Sequence, residues 1–136
     1  LVCLVGSEMC IRDRIFTKFS KKIGYYAKDY IDYDAIISLN GSKGACLAGV
    51  GIDSKEPLTK YFTQSRDYFI QGNFDEKKML LPNDSMKLEL EKYINGLSNF
   101  TDQQRAGWIC GLGHGILKET PEENVKTFVK MIREAF

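Results

Sequence analysis

The feature that most limits how this chain can fold is a set of short apolar runs that do not alternate with polar residues, each closed by a turn and followed by a helical pattern. The runs are Ala35 to Leu39, closed by Asn40-Gly41; Gly49 to Ile52, closed by Asp53; Tyr68-Phe69-Ile70, leading into Gln71-Gly72-Asn73-Phe74-Asp75; and Trp108-Ile109-Cys110, leading into Gly111-Leu112-Gly113-His114-Gly115. A strand that is apolar on both sides has to be covered on both, and that is the situation of a parallel strand in an α/β protein.

The segments between the runs read as helices. From Phe16, the positions Phe19, Ile23, Tyr26, Ala27 and Tyr30 recur at steps of three and four with lysines interspersed, which predicts an amphipathic helix. Residues 44–48 have room for a brief helix only. Asp53-Ser54-Lys55-Glu56 has the form of a capping box opening a helix through Leu58, Tyr61 and Phe62. After Pro82, with Asn83 or Asp84 as N-cap, Met86, Leu90, Tyr93, Ile94 and Leu97 mark one face of a long helix. In the last helix Thr120 is the expected cap, Pro121 the first residue and Glu123 the third member of a capping box, with Val125, Phe128, Val129 and Ile132 facing inward.

The order is therefore one helix and then four strand-helix units, which sets the class as α/β. An open doubly wound sheet and part of a closed (β/α)8 barrel both fit. Either way, chemistry gathers at the C-terminal ends of the strands, where Asn40, Asp53, Gln71, Asn73 and His114 stand.

Composition narrows the function classes. With 19 basic and 18 acidic side chains the net charge is +1, too even to draw in nucleic acid or an anionic membrane. The apolar runs fall far short of the roughly 20 residues that cross a bilayer, and the expectation is a cytoplasmic protein. Cys3, Cys10, Cys46 and Cys110 form no C-x-x-C pair and have no histidine at ligand spacing, so no zinc site or disulfide framework is expected.

Residues 1–14 stand apart. LVCLVGSEMCIRDR has neither helical nor strand periodicity, and Leu4 to Asp13 matches, in one frame, the translation of a transposon-type sequencing adapter. The expectation is a non-native segment over 1–14 and native sequence over 15–136 that begins in mid-gene.

Among the strand-end residues, His114 is the strongest candidate. It is the single histidine of the chain, and glycines on both sides let the backbone turn sharply while the imidazole exchanges protons near neutral pH. The glycine spacing is no phosphate loop, because the Lys and Ser/Thr of that motif are missing. Gln71-Gly72-Asn73 can orient a substrate or merely close a turn. Asp53 can be a reacting carboxylate, but its capping-box position favours a structural role. Arg66, Arg105 and Arg133 fall before strands or inside the last helix, away from the functional edge.

Taken in order, Gly51-Ile52-Asp53, Gln71-Gly72-Asn73-Phe74-Asp75, Gly111-Leu112-Gly113-His114-Gly115-Ile116-Leu117 and Thr120-Pro121-Glu122-Glu123-Asn124-Val125 resemble the C-terminal third of the uroporphyrinogen decarboxylase family, over about Phe16 to Phe136. Ser54, Phe74 and Glu76 depart from the family's usual aromatic, Leu and Pro. The resemblance implies that the strands are the fifth to eighth of a (β/α)8 barrel. It also implies a cofactor-free lyase, without metal, that removes the four acetate carboxyls of uroporphyrinogen III to give coproporphyrinogen III. His114 would be the active-site histidine, with Gly113, Gly115, Gln71 and Asn73 around the porphyrinogen substrate, and the full-length protein would be a homodimer. The family's arginine-rich motif, its pyrrole-binding aspartate and its active-site tyrosine have no counterpart here, so the chain alone is expected to be inactive. Half a barrel is also expected to associate through its uncovered face. Two other readings compete: a corrinoid-dependent methyltransferase of the same barrel type, which lacks its His-x-Cys zinc partner here, and a non-catalytic α/β module.

Overall fold

The computed structural model describes residues 23–26, 32–38 and 47–136. Strands β1 (Ile23–Tyr26), β2 (Leu47–Gly51), β3 (Phe69–Gln71) and β4 (Trp108–Ile109) form one sheet in that spatial order, and every pairing is parallel. Strand order follows chain order without the reversal that defines a doubly wound sheet, so the topology is that of a barrel segment. The helices are α1 (Tyr33–Ser38), α2 (Thr59–Phe62), α3 (Asn83–Ser98), α4 (Asp102–Arg105) and α5 (Glu122–Ala135), with a 3-10 turn over Glu76–Leu80.

The two faces of the sheet are unequal. Val50 and Ile70 are register partners, and both point into a core formed with Ile36, Tyr61, Phe62 and Leu97 from the helices. A second cluster joins Phe74 and Met79 to Met86 and Leu90 of α3 and Phe128 of α5. Complete burial of aliphatic side chains such as Val50, Ile70, Met86 and Leu90 contributes about 1.5–3 kcal/mol each. The other face carries Tyr26, Phe69, Gln71 and Ile109. There the Phe69 ring lies where a side chain at Gly49 would stand, and the Tyr26 ring where one at Gly51 would stand. Tyr26 and Ile109 remain 45% and 48% exposed.

Several local expectations are corrected. Ile23–Tyr26 is a strand, not part of an amphipathic helix; the remainder of that segment, 16–22 and 27–30, and also Asn40, lie outside the described residues. The sequence Ile-Gly-Tyr-Tyr holds β-formers and a glycine that weakens a helix, and parallel pairing with β2 decides between the two periods. The converse holds at Ala35 to Leu39, expected as a strand, where Tyr33–Ser38 is helical. Asp32 caps this helix by accepting from Ala35 N at 3.0 Å, and Tyr33 and Ile36, three apart, supply its buried face. Leu47 and Ala48 belong to β2 rather than to a brief helix.

The expected capping boxes also differ. Asp53 to Glu56 is a turn, with Glu56 N bonded to Asp53 O and Lys55 N to Asp53 Oδ1, and α2 begins only at Thr59. Pro82 and Pro121 are the N-caps of α3 and α5, without a side-chain bond. Asn83 instead donates across to Asn124 and Thr127, while Thr120 Oγ1 is buried without a partner among the described residues. Val129, expected inside, is 42% exposed. A complete capping box, Thr101 with Gln104, opens the short helix α4, which periodicity did not reveal.

Candidate functional site

Three strands of a parallel sheet deliver their next residues to one edge, and here the following segments stay in contact beyond the strands. Ile52 N donates to Gln71 O, Gly72 N to Ile109 O, Phe74 N to Gly111 O and Gly113 N to Phe74 O. Phe74 and Leu112 form a further parallel bridge. The backbone ladder thus carries the loops after β2, β3 and β4 side by side, and it sets Asp53 against His114 although 61 residues separate them. His114 Nε2 and Asp53 Oδ2 are 2.8 Å apart, with side chains 26% and 13% exposed.

Two glycines make the approach possible. A Cβ at Gly113 would stand 2.4 Å from Ser54 N, so any side chain there would push the His114 loop off the Asp53 turn. Gly72 has φ of +127°, a conformation side-chain-bearing residues rarely adopt, and a Cβ there would meet Ile52 O at 2.7 Å. Tyrosines fasten the arrangement from outside. Tyr26 donates to Gly113 O at 2.9 Å, and Tyr33 Oη accepts from Asp53 N at 2.8 Å. Burial, followed by the charges of Glu76 and Asp53, pushes the Tyr26 phenol above its ordinary value. Burial likewise raises Tyr33, so both hydroxyls keep their protons across the physiological range.

Asn73 is the clamp between the loops. It is buried, its Nδ2 donates to Asp53 O at 2.9 Å and to Glu56 O at 2.5 Å, and its backbone N donates to Tyr93 Oη at 3.0 Å. Trp108 Nε1 and Tyr93 Oη both donate to Gly72 O. Gln71 is exposed on the bare face of the sheet, and among the described residues no hydrogen bond ties it to the His114–Asp53 pair. Gly115 is exposed with open space at its Cα. The structure therefore brings Asn73 and Gly113 together with His114 and leaves Gln71 and Gly115 at the open side. Asp53, expected mainly in a structural role as the cap of a helix, holds two roles: one carboxylate oxygen closes a turn and the other meets the histidine. The signal available in the sequence was its place at a strand C-terminus, on the same edge as His114. Arg66 and Arg105 bind carbonyls of residues 61, 104 and 106, and of 97 and 100, near the start of β4 and away from this edge.

Residues 14–135 match the family described as Uroporphyrinogen decarboxylase (URO-D). The chain belongs to that family. The uroporphyrinogen decarboxylase fold is a (β/α)8 barrel, and the four parallel strands are its C-terminal part. Curated proteins named uroporphyrinogen decarboxylase are similar to the chain. One from Chlamydia muridarum is 46% identical over 92 residues, covering 63% of this chain and 26% of that protein. One from Rickettsia bellii is 38% identical over 85 residues, 62% and 23% of the two chains. One from Thermus thermophilus is 37% identical over 85 residues, 62% and 24%. The chain spans about a quarter of the length of the curated relatives it matches. Among the described residues no cluster of three His, Cys, Asp or Glu side chains could hold a metal ion, and no helix is long and apolar enough to cross a membrane.

Proposed function

We propose that this chain is the C-terminal part of an enzyme that decarboxylates the four acetate side chains of uroporphyrinogen III, giving coproporphyrinogen III, with His114 at the reacting edge. The observation that carries the reading is the His114–Asp53 pair at the C-terminal edge of parallel strands in a chain of the URO-D family. Each step exchanges one carboxylate for one proton: the carbon-carbon bond to the carboxyl breaks, carbon dioxide leaves, and the methylene takes a proton to become methyl. An imidazole suits that exchange because it gives and takes protons near neutral pH.

The orientation of His114 follows from its partner. A carboxylate only accepts, so Nε2 carries the hydrogen shared with Asp53, and Nδ1 has no partner among the described residues. Nδ1 is then the atom that takes up a proton, and in that protonated form it donates to a substrate carboxylate or delivers the proton to the methylene. Gln71 and Gly115, at the open side, contact the porphyrinogen, whereas Asn73 and Gly113 hold the loops beneath it. The reaction needs no cofactor in this reading, runs in the cytoplasm, and belongs to a full-length homodimer. Residues 1–14 are read as non-native sequence, and the family match leaves residues 1–13 uncovered.

The test is to recover the intact reading frame, express it, and follow uroporphyrinogen III by chromatography of the oxidised porphyrins. Stepwise loss of four carboxyls is expected from the intact protein and none from the chain alone. An intact protein that leaves uroporphyrinogen III unchanged would contradict the assignment, and turnover by the chain alone would contradict the need for the remainder.

A further inference from the structure

We propose that Asp53 is a positioning residue that fixes His114 in its Nε2-protonated form and aims Nδ1 at the open edge. The inference deepens the reading of His114 given above, and its consequence for catalysis rests on that reading.

Every polar atom of Asp53 is occupied. Its backbone N donates to Tyr33 Oη, its carbonyl accepts from Asn73 Nδ2, Oδ1 accepts from Lys55 N, and Oδ2 faces His114 Nε2. With the Asp53 backbone held at N and O and its carboxylate tied through Oδ1 to Lys55 N, Oδ2 stays in place and the ring must follow it. The tautomer is thereby set by geometry: the carboxylate makes exclusive the Nε2–H form that a free histidine side chain favours only in a mixture, which is how a carboxylate behind a histidine ordinarily acts. Tyr26 holds the loop from the other side through Gly113 O, and Tyr33 and Asn73 hold the Asp53 turn, so the pair is preorganised from three separate elements. Among the described residues, Tyr26 on β1, Tyr33 on α1 and Asn73 after β3 bond to the loops that carry the pair, and Glu76 in the 3-10 turn acts on Tyr26 through its charge.

Asp53→Asn separates the position from the charge. The amide oxygen must stay on Lys55 N, since an NH2 there would oppose a donor, so the amide nitrogen turns to His114. Two donors then face each other, and the imidazole has to move its proton to Nδ1. His114 is the only histidine in the chain, so nitrogen-15 histidine labelling reports this ring without assignment.

The experiment is a nitrogen-15 imidazole spectrum of the full 136-residue chain, wild type and Asp53→Asn, with decarboxylation measured in parallel on the intact protein. A single Nε2–H tautomer is expected in the wild type and Nδ1–H in the variant. In the intact enzyme kcat is expected to fall roughly 10–100-fold in Asp53→Asn with KM little changed, and Asp53→Glu is expected to recover part of it. A wild-type ring with the tautomer mixture of free histidine overturns the proposal without any variant, as does an unchanged spectrum in Asp53→Asn. Should the spectra respond as expected while His114→Gln retains full decarboxylation, the positioning role stands and the proposed use of His114 falls.

Discussion

The two faces of the sheet have received opposite treatment, and neighbouring residues show it. Ile109 and Cys110 are adjacent in sequence, yet Ile109 is 48% exposed on the bare face while Cys110 packs among Phe74, Met86 and Leu90 under the helices. Register sends Val50 and Ile70 inward together and Phe69 and Gln71 outward together. The helical face is finished: its strands are covered and its aromatic rings interlock, as where Phe62 meets Phe100 and Trp108 edge-on at 5.2 and 5.7 Å. The bare face is finished only when something closes over it, and in a (β/α)8 barrel that is the interior packing against the remaining strands. Stability is therefore expected to reside on one side of these strands, and the other side to answer for assembly.

The contrast breaks most visibly in the core. Ile70→Ala or Met86→Ala is expected to cost about 2–5 kcal/mol in urea unfolding, since both residues are fully buried. Ile109→Ala, on the same sheet, is expected to cost under about 1 kcal/mol. Equal losses at Ile70 and Ile109 would mean that the bare face is already packed.

A smaller but more local effect is expected at the clamp between loops. Asn73→Ala removes the donors to Asp53 O and Glu56 O and leaves both carbonyls without that partner, at about 1–3 kcal/mol. The same variant is expected to blur the His114 tautomer, because the Asp53 turn loses its anchor. A variant as stable as the wild type would show that water or another group takes over the clamp.

Alkaline pH bears mainly on the helical side. Burial pushes the Cys110 thiol up to about 12 and raises the Tyr33 and Tyr93 phenols. Groups whose folded values are raised hold protons that the unfolded chain releases, so their contribution is intact below about pH 8.5 for the thiol and is lost as pH climbs toward 12. The urea midpoint is expected to be lower at pH 10.5 than at pH 7, with Cys110 slow to alkylate at pH 8. A midpoint independent of pH over that span would contradict the burial described here.

The smallest effect on stability is expected where the effect on assembly is clearest. Ile109→Lys should change unfolding by no more than about 0.5 kcal/mol, yet it should reduce the self-association of the chain seen by sedimentation. A wild-type chain that sediments as a monomer would remove the premise.

What could be read from the sequence divides along the same chain. From Gly49 onward the strands, the long helices and the glycine-flanked histidine were legible, because β-rich runs, prolines and turn glycines there agree with one another. Before Gly49 the strand and helix readings came out exchanged. Ile23 and Tyr26 lie three apart, a helical spacing, yet pair with β2, and the Ala-Ile-Ile run looks like a strand yet is wound up by the Asp32 cap and the buried Tyr33 and Ile36. Runs this short are compatible with either period, and only the neighbour decides. The partner of His114 was hidden for a related reason. Asp53 closes its own turn, so the local reading was sufficient in itself, and only the ladder between Ile52, Gln71, Phe74 and Gly113 reveals the second use.

The central claim is that the imidazole at this edge takes part in the reaction. The most direct measurement is the single-turnover rate of uroporphyrinogen III decarboxylation by the intact protein with His114→Gln, a change that keeps size and polarity but cannot exchange a proton. A loss of about 10²–10⁴-fold with the folded state unchanged is the result expected. A rate equal to that of the wild type would contradict the account.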